Sequence, residues 1–79
     1  MIRISVIIVN YNARYFLKNC IDSVLSSDIV KNVEIIVVDN NSTDASDEML
    51  QKDFPQVNFL KNDKNLGFSK ANNRGVAIA

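Results

Sequence analysis

Blocks of apolar residues separated by short polar turns set the rhythm of this chain. Ile4 to Val9 is almost continuously β-branched and apolar, the pattern of a strand covered on both faces in a parallel sheet. The period then changes. Phe16, Leu17, Cys20, Ile21, Val24 and Leu25 draw one apolar stripe and predict a helix from about Ala13 to Ser26, with Asn12 as its N-cap. Val33 to Val38 repeats the buried-strand pattern, and the polar run Asp39-Asn40-Asn41-Ser42-Thr43-Asp44 follows it at once.

A second helix is expected after this turn. Ala45, Met49 and Leu50 supply its apolar side, Asp44, Asp47 and Glu48 suit its positive end, and Pro55 stops it. Val57 to Lys61 reads as a shorter third strand, Asn62 to Gly67 as a third polar turn, and Phe68, Ala71, Val76 and Ala79 as a helix to the chain end. Gly75 inside that helix weakens it by about 1 kcal/mol against Ala. The order β-α-β-α-β-α with short turns predicts an α/β fold: a three-layer, parallel, Rossmann-like sheet with right-handed crossovers and helices on both faces.

Composition narrows the function. The 79 residues suffice for one small domain, which buries only roughly 60 % of its unfolded surface. Nine basic and nine acidic residues cancel, so the electrostatic case for a nucleic-acid partner is removed, and an anionic ligand has to be held by local geometry. The single Cys20 and the absence of histidine argue against a disulfide scaffold and a Cys/His zinc site, and favour a reducing, cytoplasmic setting. The apolar run near Met1 is too short to cross a membrane, and no small-residue cleavage site follows it.

Asparagine is the outlier. Eight of eleven lie at or after the three strand ends: Asn10, Asn12, Asn40, Asn41, Asn62, Asn65, Asn72 and Asn73. In an open parallel sheet these ends share one rim, where ligands bind. Uncharged amides donate and accept, as reading a base edge and ribose hydroxyls requires; they are also ordinary turn and cap residues. Asp39, directly after the second strand, is placed to accept bonds from a base imide or ribose hydroxyl, with a turn cap as the alternative. Ser42, Thr43 and Asp44 are expected first to cap the second helix, and to touch a ligand only if the loop folds over it. Lys64, Lys70 and Arg74 surround Gly67 at the start of the third helix, where backbone N–H groups favour a phosphate; a plain solvated face is the alternative. No Walker loop is present, and Gly67 with Gly75 lacks the G-x-G-x-x-G spacing. Tyr11 could stack on a base or pack on the core, and Cys20 belongs to the buried stripe.

Three segments, in order, closely resemble the start of family 2 glycosyltransferases: Ile4-Ser5-Val6-Ile7-Ile8-Val9-Asn10-Tyr11-Asn12, Glu34 to Asp44, and Asn65-Leu66-Gly67-Phe68-Ser69-Lys70-Ala71-Asn72-Asn73-Arg74-Gly75. The third resembles the rhamnosyltransferase-like branch in particular. This resemblance implies a truncated GT-A fold in which residues 1–79 are the N-terminal nucleotide-sugar-binding part. Asn10, Tyr11 and Asn12 would border base and ribose, Asp39 would contact the base, and the Asn65 to Gly75 segment would lie near the diphosphate. The candidate nucleotide-binding residues are therefore Asn10, Tyr11, Asn12, Asp39, Asn41, Asn65, Gly67, Lys70 and Asn73. Many relatives carry Arg where this chain has Asn72, which leaves Lys70 or Arg74 to meet the phosphates.

The resemblance also implies what such a parent would do: transfer a sugar from a UDP- or dTDP-linked donor to an acceptor hydroxyl, in surface polysaccharide synthesis, in the cytoplasm or at the inner face of its membrane. The family's Asp-x-Asp motif, which holds Mg²⁺ or Mn²⁺ on the diphosphate, and its catalytic base are not among these residues. No catalytic or metal-binding residue is assigned, no cofactor is expected in this chain alone, and transfer by it alone is not expected. The alternative is a non-catalytic α/β nucleotide-binding or oligomerisation module, forming a homo-oligomer through an unpaired first-strand edge.

Overall fold

The computed structural model describes residues 4–26 and 32–79. Its elements are β1 (Ile4–Asn10), α1 (Arg14–Leu25), β2 (Val33–Asp39), α2 (Ser46–Asp53), β3 (Asn58–Lys61) and α3 (Phe68–Ile78). All strand pairs are parallel, in the order β1-β2-β3. The α/β, three-layer, parallel architecture follows the sequence pattern. Met1 to Arg3, the start of the first apolar run, lie outside the described residues.

Alternation along each strand explains why the apolar runs are unbroken. Ile35 and Val37 of β2 point into a cluster with Leu17 and Ile21 of α1, Leu50 of α2 and Phe54 just beyond it. Ile36 and Val38 point the other way, onto Ala71 of α3, with Ile7, Val9 and Leu60 against them. A strand with a helical layer on each side has no polar face to spare. The ladder holds this in register, with Ile7 beside Ile36 and Val38 beside Leu60.

Three expectations need correction. β1 was expected to be covered on both faces, yet Ile4 and Ser5 are exposed and Val6 to Val9 are half-buried, because β1 has one neighbour and stands at the sheet edge. Phe16 leaves the stripe of α1 and is 72 % exposed, while Leu17 and Ile21, nearer the middle of the sheet, are buried. Asn12 is not the cap of α1: Ala13 holds that position and makes no cap bond of its own, and Asn12 adopts a left-handed backbone with φ 49°.

Gly75 has a packing role that offsets its poor helix propensity. A Cβ there would stand 2.6 Å from Ile7 Cγ2 and 3.1 Å from Val38 Cγ2. The missing side chain lets α3 lie directly on β1 and β2. We expect Gly75→Ala to gain about 1 kcal/mol of propensity but to lose about 2–3 kcal/mol to overpacking. The net result is a less stable chain in a urea melt; a rise in the midpoint would show that the helix can lift off the sheet at no cost.

Candidate functional site

Each strand ends on the same rim and hands the chain to a polar turn. The ladder runs one step past the strands: Asn40 N–H donates to the Asn10 carbonyl at 2.9 Å and Asn62 N–H to the Asp39 carbonyl at 2.8 Å. Asn40 Nδ2 reaches the Gly67 carbonyl at 3.3 Å. The Asp39 strand end and Gly67 therefore lie on one side of the molecule, and the three turns form a single border.

At its centre is the Asp39 carboxylate, which is fully buried. Oδ1 accepts from Asn10 Nδ2 at 2.8 Å and from the Ser42 hydroxyl at 2.6 Å, and Oδ2 accepts from Ser42 N–H at 2.8 Å. Ser42 Oγ in turn accepts from Asn10 Nδ2 at 3.2 Å and Asn12 N–H at 2.9 Å. Asn12 Oδ1 accepts from Thr43 N–H at 2.7 Å. These bonds clamp the first and second turns together. They also turn Asp39 inward, away from any ligand lying on the rim.

The third turn is organised by asparagine. Asn65 Oδ1 accepts from Gly67 N–H at 2.8 Å, so that backbone N–H points into its own turn and not outward. Gly67 has φ 79° and ψ 169°, a conformation open essentially to glycine alone. No side chain caps α3, so its first turn keeps its positive end facing the rim. Arg74, a candidate for the phosphates, is drawn instead to Asn62 Oδ1.

Of the nine candidate residues, the structure joins Asn10, Asn12 and Asp39 through Ser42, and joins Asn65 to Gly67 at the start of α3. Tyr11 is 52 % exposed beside them. Asn41 is exposed with a left-handed backbone, φ 69°. Lys70 and Asn73 are exposed on the first and second turns of α3. Ser42, Asn40 and Asn62 are not among those nine, although the sequence already places Asn40 and Asn62 with the rim asparagines, and the structure makes all three parts of the same border. The signal available was their place: each lies within three residues of a strand end.

Asp44 also departs from expectation. The N-cap of α2 is Ala45, with φ 64°. Asp44 Oδ2 accepts from Arg14 N–H at 2.9 Å, so it serves the start of α1 from across the rim, while Oδ1 accepts from the Ser46 N–H and hydroxyl. Partial burial works to raise its pKa, but the Ser46 hydroxyl and the Arg14 and Ser46 N–H groups outweigh it and hold it below the ordinary 3.8.

Comparison with known proteins places this rim in context. The sequence profile of the family described as "Glycosyl transferase family 2" matches residues 5–79. The chain belongs to that family. It is 38 % identical over 77 residues to glycosyltransferase GlyA of Streptococcus pneumoniae serotype 4, covering 94 % of this chain and 11 % of that protein. It is 34 % identical over 79 residues to GlyG of the same organism, covering 96 % of this chain and 26 % of GlyG. The chain thus spans about a quarter or less of these family 2 relatives. Among solved structures, mannosyltransferase PcManGT from Pyrobaculum calidifontis, in complex with GDP-Man and Mn²⁺, superposes with a TM-score of 0.87 at 23 % identity. The match covers 98 % of this chain and 24 % of PcManGT, and shows the GT-A fold.

A divalent metal accompanies that neighbour. Among the described residues no three His, Cys, Asp or Glu side chains are grouped to hold a metal ion. Asp39, the carboxylate at the middle of the rim, gives both oxygens to Asn10 and Ser42. Among the described residues no helix is long and apolar enough to cross a membrane.

The Asp44 shift has a sign that can be checked. A depressed folded pKa contributes stability that is present above the unfolded value and lost as pH falls through the folded one. Asp44→Asn should lower the melting temperature at pH 6 and flatten its decline below 3.8. Loss of the bond to Arg14 N–H is expected to cost about 1 kcal/mol, the usual value of a cap. Parallel Tm-against-pH curves for the two proteins would contradict this role.

Proposed function

We propose that this chain forms the donor-nucleotide part of a glycosyltransferase that moves a sugar from a UDP- or dTDP-linked donor to an acceptor hydroxyl in surface polysaccharide synthesis. The observation that carries the reading is the convergence of all three polar turns on one rim, closed by the Asn40 bond to Gly67. Tyr11 offers an exposed ring to the base. Asn12 and Asn41 border the ribose, and the uncapped start of α3, with Lys70 and Asn73, meets the diphosphate. Asn10 and Asp39 act from beneath: Asp39 holds the clamped turns in place, and reaches a base imide only when Ser42 yields one of its bonds.

The neighbour with GDP-Man and Mn²⁺ supports this use of the scaffold. A divalent ion would neutralise the departing diphosphate; in this reading its ligands and the general base come from outside the described residues. The chain alone then binds nucleotide weakly and does not transfer sugar. The third motif favours a rhamnosyltransferase-like parent working in the cytoplasm or at the inner membrane face.

NMR titration of the ¹⁵N-labelled chain with UDP, dTDP and GDP, with and without Mn²⁺, tests this. Shifts confined to residues 10–12, 39–44 and 65–73, at an affinity on the order of millimolar, are the expected result. Tyr11→Ala should weaken binding about fivefold or more through lost stacking without lowering Tm. Micromolar affinity would contradict an incomplete site, and a spectrum indifferent to all three nucleotides would end the proposal.

A second reading, self-association, is favoured by one observation. β1 is the sheet edge, and an apolar groove of about 500 Å³ beside it is lined by Val6, Ile8, Phe16, Cys20 and Val24. A second copy meeting this edge would pair main-chain groups and cover Phe16. Sedimentation at high concentration should then show a dimer that Phe16→Glu dissolves; a monomer throughout dismisses this reading.

A further inference from the structure

Two buried side chains at the rim touch no open surface. Asn40 and Asn62 are 2 % and 1 % exposed. A buried carboxamide is costly unless its donors and acceptor are used, and here they are used on each other: Asn62 Nδ2 donates to Asn40 Oδ1 at 2.8 Å. What else they hold is specific. Asn40 Oδ1 also accepts from Leu66 N–H at 3.3 Å, while Asn40 Nδ2 donates to the Gly67 carbonyl at 3.3 Å. Its amide thus treats the turn before α3 as a neighbouring strand would, reading one N–H and one C=O. Asn62 Oδ1 accepts from Arg74 Nη1, on the second turn of α3.

The helix is therefore pinned at two points from the ends of β2 and β3. One point is the backbone immediately before it; the other is Arg74. Two anchors along a helix set both where it begins and which way its axis runs. The apolar contacts of Ala71 and Gly75 hold α3 to the sheet, but apolar packing is non-directional and leaves sliding along the strands less restrained.

We infer that Asn40 and Asn62 are positioning residues, a carboxamide link that fixes the start of α3 relative to the Asn10–Asp39 end of the rim and so sets the distance between the base and diphosphate subsites. The inference rests on the nucleotide-binding reading above. It explains why both are amides. Asn40 has to donate and accept at once, so a carboxylate of the same shape fails at Gly67: it has no donor for that carbonyl and sets like charge against it.

The test separates positioning from folding by comparing UDP with uridine, which lacks the phosphates. Asn40→Asp and Asn62→Ser keep most of the volume; Asn40→Ala serves as the stronger variant. NMR titration should show UDP binding weakened about threefold to tenfold, the worth of one or two hydrogen bonds, with uridine binding unchanged. In Asn40→Ala, which removes the oxygen that accepts from Leu66 N–H, amide exchange at Leu66 should accelerate while Ile36 to Val38 stay protected. An equal loss for UDP and uridine, or an unchanged Leu66 rate, overturns the proposal. If the unsubstituted chain responds to neither ligand, the nucleotide reading fails and this role with it, whereas a fast Leu66 in the variants still marks the link as what holds the turn.

Discussion

Polar side chains can be buried at the ends of a parallel sheet only if every one of them is bonded, and this requirement shapes the functional end of the molecule. Asn10, Asp39, Asn40, Ser42, Ser46 and Asn62 are all buried. Among the described residues no buried side-chain nitrogen or oxygen lacks a partner. Each bond satisfies a group that would otherwise cost about 1–3 kcal/mol. Meeting the requirement draws residues from three separate turns into two clusters, one around Asp39 and one around Asn40. The turns are consequently not three independent loops on a scaffold.

The two clusters divide the labour. The first ties the β1 turn to the β2 turn through Ser42, and the second ties the ends of β2 and β3 to the entry of α3 through Asn40. Asp39 and Asn40 are adjacent, so the end of β2 is where both meet. That placement follows from sheet order: β2 is the middle strand, with a strand on each side. The apolar core beneath mirrors this, with Ile36, Val37 and Val38 of β2 completely buried.

Much of this was legible from residue pattern. The unbroken apolar run of Val33 to Val38 announced a two-sided strand, and the turn residues after it located the rim; the resemblance to family 2 glycosyltransferases agrees with the matched profile over residues 5–79. What pattern could not supply was direction. A carboxylate directly after a strand can face a ligand or cap a turn, and the inward orientation of Asp39 depends on Ser42 and Asn10, which are 3 and 29 positions away. Phe16 and Ile21 both belong to the apolar stripe of α1 but lie about 140° apart around the helix, and pattern alone does not say which flank of the stripe the sheet covers. The bond from Arg74 to Asn62, 12 residues away, is likewise not legible in the sequence, which places Arg74 only on the face of α3 after Gly67.

Among the described residues the non-glycine positions with left-handed backbone, Asn12, Asn41 and Ala45, fall in the first and second turns. Asparagine tolerates that conformation, but for Ala45 it costs on the order of 1 kcal/mol. Conformational tension is thus concentrated at the mouth of the molecule. Thermal agitation loosens such a border before the layers beneath it. Any small molecule that adds bonds to those same turns shifts the balance back, so occupancy and rigidity rise together.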